Sequence, residues 1–247
     1  MKQIKQLKSY LILLLILGYT ACKKDSWCGE CFERTGKIVT EKRVVPAFNQ
    51  LIVNHDLNVF ITQDSVFELK IEAGKNMMDF ITTEVTDSVL TINNKSRCNW
   101  TRNYKKHFNI YIKTPTIKHI TSNTSGTIKS TTILTGNNLH LEIKTSGDIE
   151  LTVNYTSIIS DVKSGGDLTL HGNVSDHQSA MQSPSFLYCQ DLVSNSTSLK
   201  SATSGLSYIY VTDKLNCDIE NIGDVYCYGN PPVVNKTGSG KGTLYFK

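Results

Sequence analysis

The chain has 247 residues, 39% hydrophobic and 19% charged, with 16 Gly and only 5 Pro. That balance suits one large all-β domain or two small ones and excludes a collagen-like or wholly disordered chain. The formal net charge is +4, but without the first 21 residues, which hold Lys2, Lys5 and Lys8 and no acid, 23 bases face 22 acids, a net of +1. A charge so near zero gives no electrostatic footprint for nucleic acid, and no nucleic-acid partner is expected.

Lys2, Lys5 and Lys8 precede a short apolar run from Leu11 to Leu17. The run is too short to span a bilayer and reads as the core of a signal peptide over residues 1–21. Gly18-Tyr19-Thr20-Ala21-Cys22 resembles a bacterial lipobox, with Tyr19 departing from the usual aliphatic residue. In that reading Cys22 is acylated, becomes the mature N-terminus and holds the protein on a membrane through several acyl chains. Lys23-Lys24-Asp25 resembles the start of lipoproteins of the Bacteroidetes, so an outer-membrane lipoprotein facing the periplasm or the cell surface is expected. The alternative is an ordinary secretory signal with Cys22 an incidental thiol. Residues 22–36 read as a tether.

The chain has 7 Cys. With Cys22 acylated, Cys28, Cys31, Cys98, Cys189, Cys217 and Cys227 remain as disulfide candidates, an even set that suits export. Trp27-Cys28-Gly29-Glu30-Cys31 looks like the thioredoxin active-site motif, but that chemistry needs a strand before it and a helix after it. Here the motif lies beside the tether and runs into Gly36, so it is expected to be a staple, with Cys98 a further candidate partner. Cys217 and Cys227 flank a turn at 221–223 and are candidates to pair across neighbouring strands.

The pattern along the chain is β nearly throughout. Leu57 to Gln63 and Phe67 to Glu72 alternate apolar and polar residues with period two, and Gln63-Asp64-Ser65 between them reads as a hairpin turn. Val85–Asn93 and His107–Lys113 read as two more strands, and 76–81 as the one short helix.

The second half repeats. A small-residue corner ending in Gly and followed by a short strand recurs at Gly126, Gly147, Gly166, Gly205, Gly223 and Gly240, spaced 21, 19, 39, 18 and 17 residues apart. The spacing of 39 is about two periods, so one corner without its glycine is expected near Pro184. Such a period predicts a stacked β-solenoid over 120–247, preceded by a strand-rich part over 37–119. Inward residues should be Ile128, Ile149, Leu151, Leu168, Leu170, Ile209, Val211, Val225 and Leu244. The alternative is a β-sandwich with regularly spaced turns.

The order of features resembles the head GIN domain family, labelled putative auto-transporter adhesins and common among exported lipoproteins of the Bacteroidetes. The resemblance rests on Gly36 to Arg43 leading to Phe48 and Ile52-Val53, then Val59 to Gln63, Ile71 to Asn76 and Leu90 to Asn94. It continues through Cys98-Asn99-Trp100, Ile110-Tyr111-Ile112 and Pro115 to Gly223 to Tyr226, Gly229-Asn230-Pro231 and Gly238-Ser239-Gly240, covering roughly residues 36–247. It implies an all-β, right-handed parallel β-helix-like solenoid outside the inner membrane and brings no catalytic residues with it. Ser122-Asn123-Thr124-Ser125-Gly126 stands where the family pattern has Ser-Gly-Ser-Gly, so the first corner is expected to differ.

Catalytic motifs are sparse. The histidines His55, His107, His119, His140, His171 and His177 form no HxH, HExxH or zinc-spaced Cys/His set, and no metal or cofactor is expected. His119 and His140 are 21 residues apart, about one coil, and should stack as a surface pair rather than form the alternative, a metal site. Asp148, Asp167 and Asp224 each follow a corner glycine and should form a column, as turn-forming residues or around a cation such as Ca²⁺. Asp64-Ser65-Val66 and Asp87-Ser88-Val89 look like O-glycosylation acceptors of the Bacteroidetes. Two function classes follow. One is a non-catalytic binding or adhesion module with Tyr188, Tyr208, Tyr210, Tyr226 and Tyr228 as contact-face candidates and a surface glycan or protein as ligand. The other is a carbohydrate-active enzyme, a polysaccharide lyase or hydrolase on a β-helix, for which Glu142 and Glu150 lie on candidate strands.

Overall fold

The structure, a computed structural model, describes residues 34–96, 108–182 and 184–247. Its strands are β1 (Ile38–Arg43), β2 (Gln50–His55), β3 (Asn58–Gln63), β4 (Glu68–Gly74), β5 (Ile81–Thr86), β6 (Val89–Asn94), β7 (Asn109–Thr114), β8 (His119–Thr124) and β9 (Ile128–Ser130). These continue as β10 (Leu134–Ile143), β11 (Ile149–Val162), β12 (Leu168–Gln182), β13 (Leu187–Ala202), β14 (Ser207–Ile219), β15 (Val225–Tyr228), β16 (Val233–Thr237) and β17 (Leu244–Phe246). A short 3₁₀ helix at Lys75–Phe80 joins β4 to β5.

The fold is a β-solenoid. Ile128, Ile149, Leu168, Leu187, Ser207, Val225 and Leu244 are successive register partners in parallel strands. This is the stacking that the period predicts. All the expected inward residues are buried except Leu244, which is half-buried against the core. The sandwich alternative, which would pair consecutive strands antiparallel, does not hold here.

Each of the longest strands covers two faces. In β11, Ile149, Leu151, Val153 and Tyr155 point inward, then Ile158, Ser160 and Val162. The inward set changes from odd to even numbers where the strand bends. One face is thus built by β3, β7, β9, β15, β17 and the first halves of β11 to β14. The other is built by β2, β6, β8, β10, β16 and the second halves of β11 to β14.

The corners close by main-chain contact. A Cβ at Gly147 would lie 2.3 Å from the carbonyl oxygen of Gly126, and one at Gly166 would lie 2.2 Å from that of Gly147. The column continues with Ser185 at the corner expected near Pro184, then Gly205 and Gly223. It is completed by Gly242 and not by Gly240, because Gly242 is the residue that packs on the Gly223 carbonyl. At the first corner Thr124 Oγ1 accepts the N–H groups of Leu57 (2.9 Å) and Gly126 (3.0 Å) and donates to the Leu57 carbonyl (2.9 Å). Thr203 makes the equivalent bonds to Ser185 and Gly205. The corner at 122–126 is therefore built like a later one, despite its departure from the family pattern.

The N-terminal strands depart from chain order. β2 lies between β6 and β8, and β3 between β7 and β9, all parallel. The coil of residues 50–63 is thus inserted between a later coil and residues 119–130. Gln63-Asp64-Ser65 is consequently no hairpin turn, because β7 separates β3 from β4. Val85–Asn93 is not one strand but parts of β5 and β6, joined by a turn in which Asp87 (φ 50°) and Ser88 (φ 65°) are left-handed. Antiparallel β1 and β4 on one face and β5 on the other cover this end of the stack, and the 3₁₀ helix buries Met77 and Met78. At the opposite end β16 and β17 carry exposed Val233, Val234 and Phe246.

Candidate functional site: a tyrosine face and a polar groove

The register brings tyrosines into line. Tyr188, Tyr208, Tyr226 and Tyr245 are successive partners on β13, β14, β15 and β17. Their alternate neighbours, among them Leu187, Cys189, Ile209, Val225 and Cys227, fill the core, so the phenol rings face outward. Successive ring centroids are 5.7, 5.2 and 5.2 Å apart, with interplanar angles of 8°, 14° and 16°. Phe186 extends the stack, 5.9 Å from Tyr188, and Lys247 Nζ lies 5.3 Å from the Tyr226 ring centre. Tyr210 and Tyr228 pair in register two residues further on. All five tyrosines expected to form a contact face therefore share one face, half-buried and outside the core.

The same column runs on through Thr169, Glu150 and Lys129 to Phe60 and Tyr111. Phe60 and Tyr111 stack at 5.2 Å, and Lys129 Nζ sits 2.6 Å from a Glu150 carboxylate oxygen. Aromatic rings thus stand at both ends of a flat strip with an ion pair between them. Because the tyrosine rings cover one another's faces, they present edges and hydroxyls to solvent, an amphipathic and periodic surface. Burial, then the Asp167 carboxylate and Tyr208, push the Tyr188 phenol above its usual range, so it stays a hydrogen-bond donor at neutral pH.

The other face carries a shallow groove of about 470 Å³. Ala180 and Ser198 are shorter than their neighbours Gln178, Lys200, Asp161 and Asp218, which leaves the recess. In the same sheet His119 and His140 stack as their spacing predicts, with ring centres 4.5 Å apart and planes 14° apart. Glu142 accepts from Lys144 Nζ (2.9 Å) and Lys163 Nζ (3.0 Å). Burial would raise the Glu142 carboxyl, but the two ammonium groups outweigh it and hold it at about 2. Glu142 is thus a permanent carboxylate and no proton donor at neutral pH. Glu150 is engaged with Lys129 on the opposite face.

The aspartate column has a structural use. The N–H of Asp167 donates to Asp148 Oδ1 (2.9 Å), that of Phe186 to Asp167 Oδ1 (2.9 Å) and that of Thr243 to Asp224 Oδ1 (2.8 Å). Each carboxylate takes up the amide of the next coil. Ser65 and Ser88, the glycosylation candidates, are both exposed.

Cys189, Cys217 and Cys227 are buried free thiols. The expected Cys217–Cys227 pair is not formed, because the two residues belong to opposite walls of the core. Cys217 stacks between Leu199 and Lys236 in one sheet face, Cys227 between Ile209 and Phe246 in the other. Cys22, Cys28, Cys31, Cys98 and His107 lie outside the described residues.

The spacing of the repeats could have added Tyr245, which stands 19 residues after Tyr226 in the same register. Phe60 and Tyr111 had no such signal, since their place depends on the inserted coil.

A β-solenoid with one aromatic and one polar outward face belongs to the class of coil-stacked β-helical proteins. The chain is a member of the head GIN domain family, described as "putative auto-transporter adhesin", whose profile matches residues 47–231. Among solved structures it is similar to a "putative adhesin" of Bacteroides fragilis, at 22% identity and a TM-score of 0.80, covering 85% of this chain and 97% of that one. A "putative adhesin" of Parabacteroides distasonis matches at 20% identity and a TM-score of 0.65, over 86% and 98% of the two chains. A "putative lipid binding protein" of the same species matches at 17% identity and a TM-score of 0.67, over 86% and 97%. No curated protein matches the chain.

Proposed function

We propose that this protein is a non-catalytic binding or adhesion module of the cell envelope, exported and anchored at the outer membrane through acylated Cys22, with the tyrosine face as its contact surface. The observation that carries the reading is the in-register stack of Tyr188, Tyr208, Tyr226 and Tyr245. Rings locked by their neighbours lose little freedom on binding, and their hydroxyls and edges repeat once per coil. Such a row suits an extended surface polymer, a glycan or a protein segment. Membership of an adhesin-named family supports the same reading. The carbohydrate-active enzyme is the weaker alternative, because Glu142 is ionised by its lysine partners and Glu150 is paired with Lys129.

The test is binding of the purified protein to immobilised bacterial surface glycans and, separately, to extracellular-matrix proteins. A Tyr208→Ala/Tyr226→Ala double variant that keeps its β-type circular dichroism should lose at least about tenfold in affinity on one of the two arms. Equal binding by wild type and variant on both arms overturns the tyrosine-face reading. Turnover of a polysaccharide by the wild-type protein overturns the non-catalytic one.

A further inference from the structure

The polar face carries a donor set that the tyrosine-face reading does not use. His119 on β8, His140 and Glu142 on β10 and Asp161 on β11 stand on three adjacent parallel strands, with His119 beside His140 and Glu142 beside Asp161 in register. One imidazole nitrogen of His140 and one carboxylate oxygen each of Glu142 and Asp161 lie within 4.8 Å of one another. His140 Nε2 is 3.0 Å from Asp161 Oδ2, and His119 Nε2 is 3.5 Å from Glu142 Oε2. We propose that His140, Glu142 and Asp161 form a binding site for a divalent transition metal, with Zn²⁺ the best fit.

The geometry and the donor chemistry agree. Zn²⁺ holds nitrogen and oxygen donors at about 2.0–2.2 Å, so two donors of a tetrahedral site stand roughly 3.3 Å apart. The His140–Asp161 pair already has close to that separation. The three donor atoms of His140, Glu142 and Asp161 need only side-chain rotations to close from within 4.8 Å onto one ion, and the strands beneath them hold the backbone fixed. An imidazole with two carboxylates suits a borderline metal such as Zn²⁺ better than Ca²⁺ or Mg²⁺, which prefer all-oxygen sites.

Lys144 and Lys163 supply the competing cations. Both ammonium groups bond to Glu142, and both side chains are more than two-fifths exposed, at 42% and 44%. Long exposed lysine stems swing into water at little cost, so an arriving metal ion takes over the charge they neutralise. Thr121 Oγ1 donates to Glu142 Oε2 at 3.2 Å and orients that carboxylate from below. On an open sheet face, water or a donor from a partner molecule completes the coordination.

The test is titration of the tag-free full chain with Zn²⁺ in competition with a chromophoric chelator, with circular dichroism of each variant to show folding. The expected result is one saturable equivalent that excess Ca²⁺ and Mg²⁺ do not displace. His140→Ala and Asp161→Asn should each weaken it by at least about tenfold, and Lys144→Gln/Lys163→Gln should tighten it. Co²⁺ in place of Zn²⁺ should give tetrahedral visible absorption bands that His140→Ala abolishes. Absence of saturable binding, unchanged affinity in folded His140→Ala, or weaker binding in the double lysine variant overturns the site.

Discussion

Gly166 rests against the carbonyl oxygen of Gly147 one coil away, so closely that a Cβ on Gly166 would stand 2.2 Å from it. Its neighbour Gly165 has nothing within 4 Å of the corresponding position. The two adjacent glycines should therefore answer the same substitution oppositely. Gly166→Ala must push two coils apart at the corner and should cost about 1–3 kcal/mol, as overpacking does. Gly165→Ala should be neutral or stabilise by up to about 1 kcal/mol, because it only restricts the unfolded chain. Urea denaturation of the two variants checks the contrast; equal losses would mean that the corner is not closed by main-chain contact.

Ile149 sits on Leu168 in the interior ladder, both fully buried. Ile149→Ala should leave a void and cost about 2–5 kcal/mol. Thr152 lies on the outer face beside inward Leu151 and Val153, and Thr152→Ala should change stability by less than about 0.5 kcal/mol. Thermal or urea melts of the pair read the difference directly.

His177 is buried inside the coils, with Ser160 Oγ 3.2 Å from its Nε2 and Ser160 in turn 2.9 Å from Ser179 Oγ. Loss of solvent lowers the imidazole from 6.5 to about 4 in spite of nearby Asp176. The folded protein thus binds this proton less readily than the unfolded chain. Above pH 6.5 both states are neutral at this site and nothing is lost. As pH falls from 6.5 towards 4 the unfolded state takes up the proton first, so stability drops. The loss approaches about 3 kcal/mol at the lower end of that window. Unfolding free energies at pH 7.5 and 4.5 should show it in the wild type, and a His177→Gln variant should show a correspondingly smaller drop.

The three core thiols should be inert until the chain unfolds. Burial pushes Cys217 up to about 12 and Cys227 up to about 11, and raises Cys189 further still. Thiolate, the reactive form, is scarce at each. Iodoacetamide at pH 8 should leave Cys189, Cys217 and Cys227 unmodified in the native protein and label them rapidly in urea, as peptide mass spectrometry would show. Native labelling at any one of them would place that thiol outside the closed core.

Acylation of Cys22 is tested by fractionation. Wild-type protein expressed in a Bacteroidetes host should sediment with membranes and partition into detergent, and Cys22→Ala should appear in the soluble fraction. A variant that still sediments with membranes contradicts the lipid anchor.

Much of the solenoid is legible in the sequence because a stacked coil writes its period into the chain. The inward positions from Ile128 to Val225 follow from alternation within each coil and a spacing near 19 residues between coils. The corner near Pro184, lacking its glycine, is predicted by the same arithmetic and is occupied by Ser185. The arithmetic also places Tyr188, Tyr208 and Tyr226 on one face, since residues of equal phase in successive coils must share a side. His119 and His140 stack for the same reason.

Local pattern alone could not decide three things. It could not separate Gly240 from Gly242 at the last corner, because both glycines satisfy the sequence rule and only contact with the Gly223 carbonyl distinguishes them. Nor could it assign Cys217 and Cys227 to opposite walls of the core, since their nearness in sequence says nothing about which side of a bend each strand occupies. It also could not place the coil of β2 and β3 between later strands, an exchange of neighbours that leaves every strand's own alternation unchanged. Alternation determines which side of a strand is buried. Only the packed fold decides which strands lie beside it, and so whether Phe60 joins the tyrosine face.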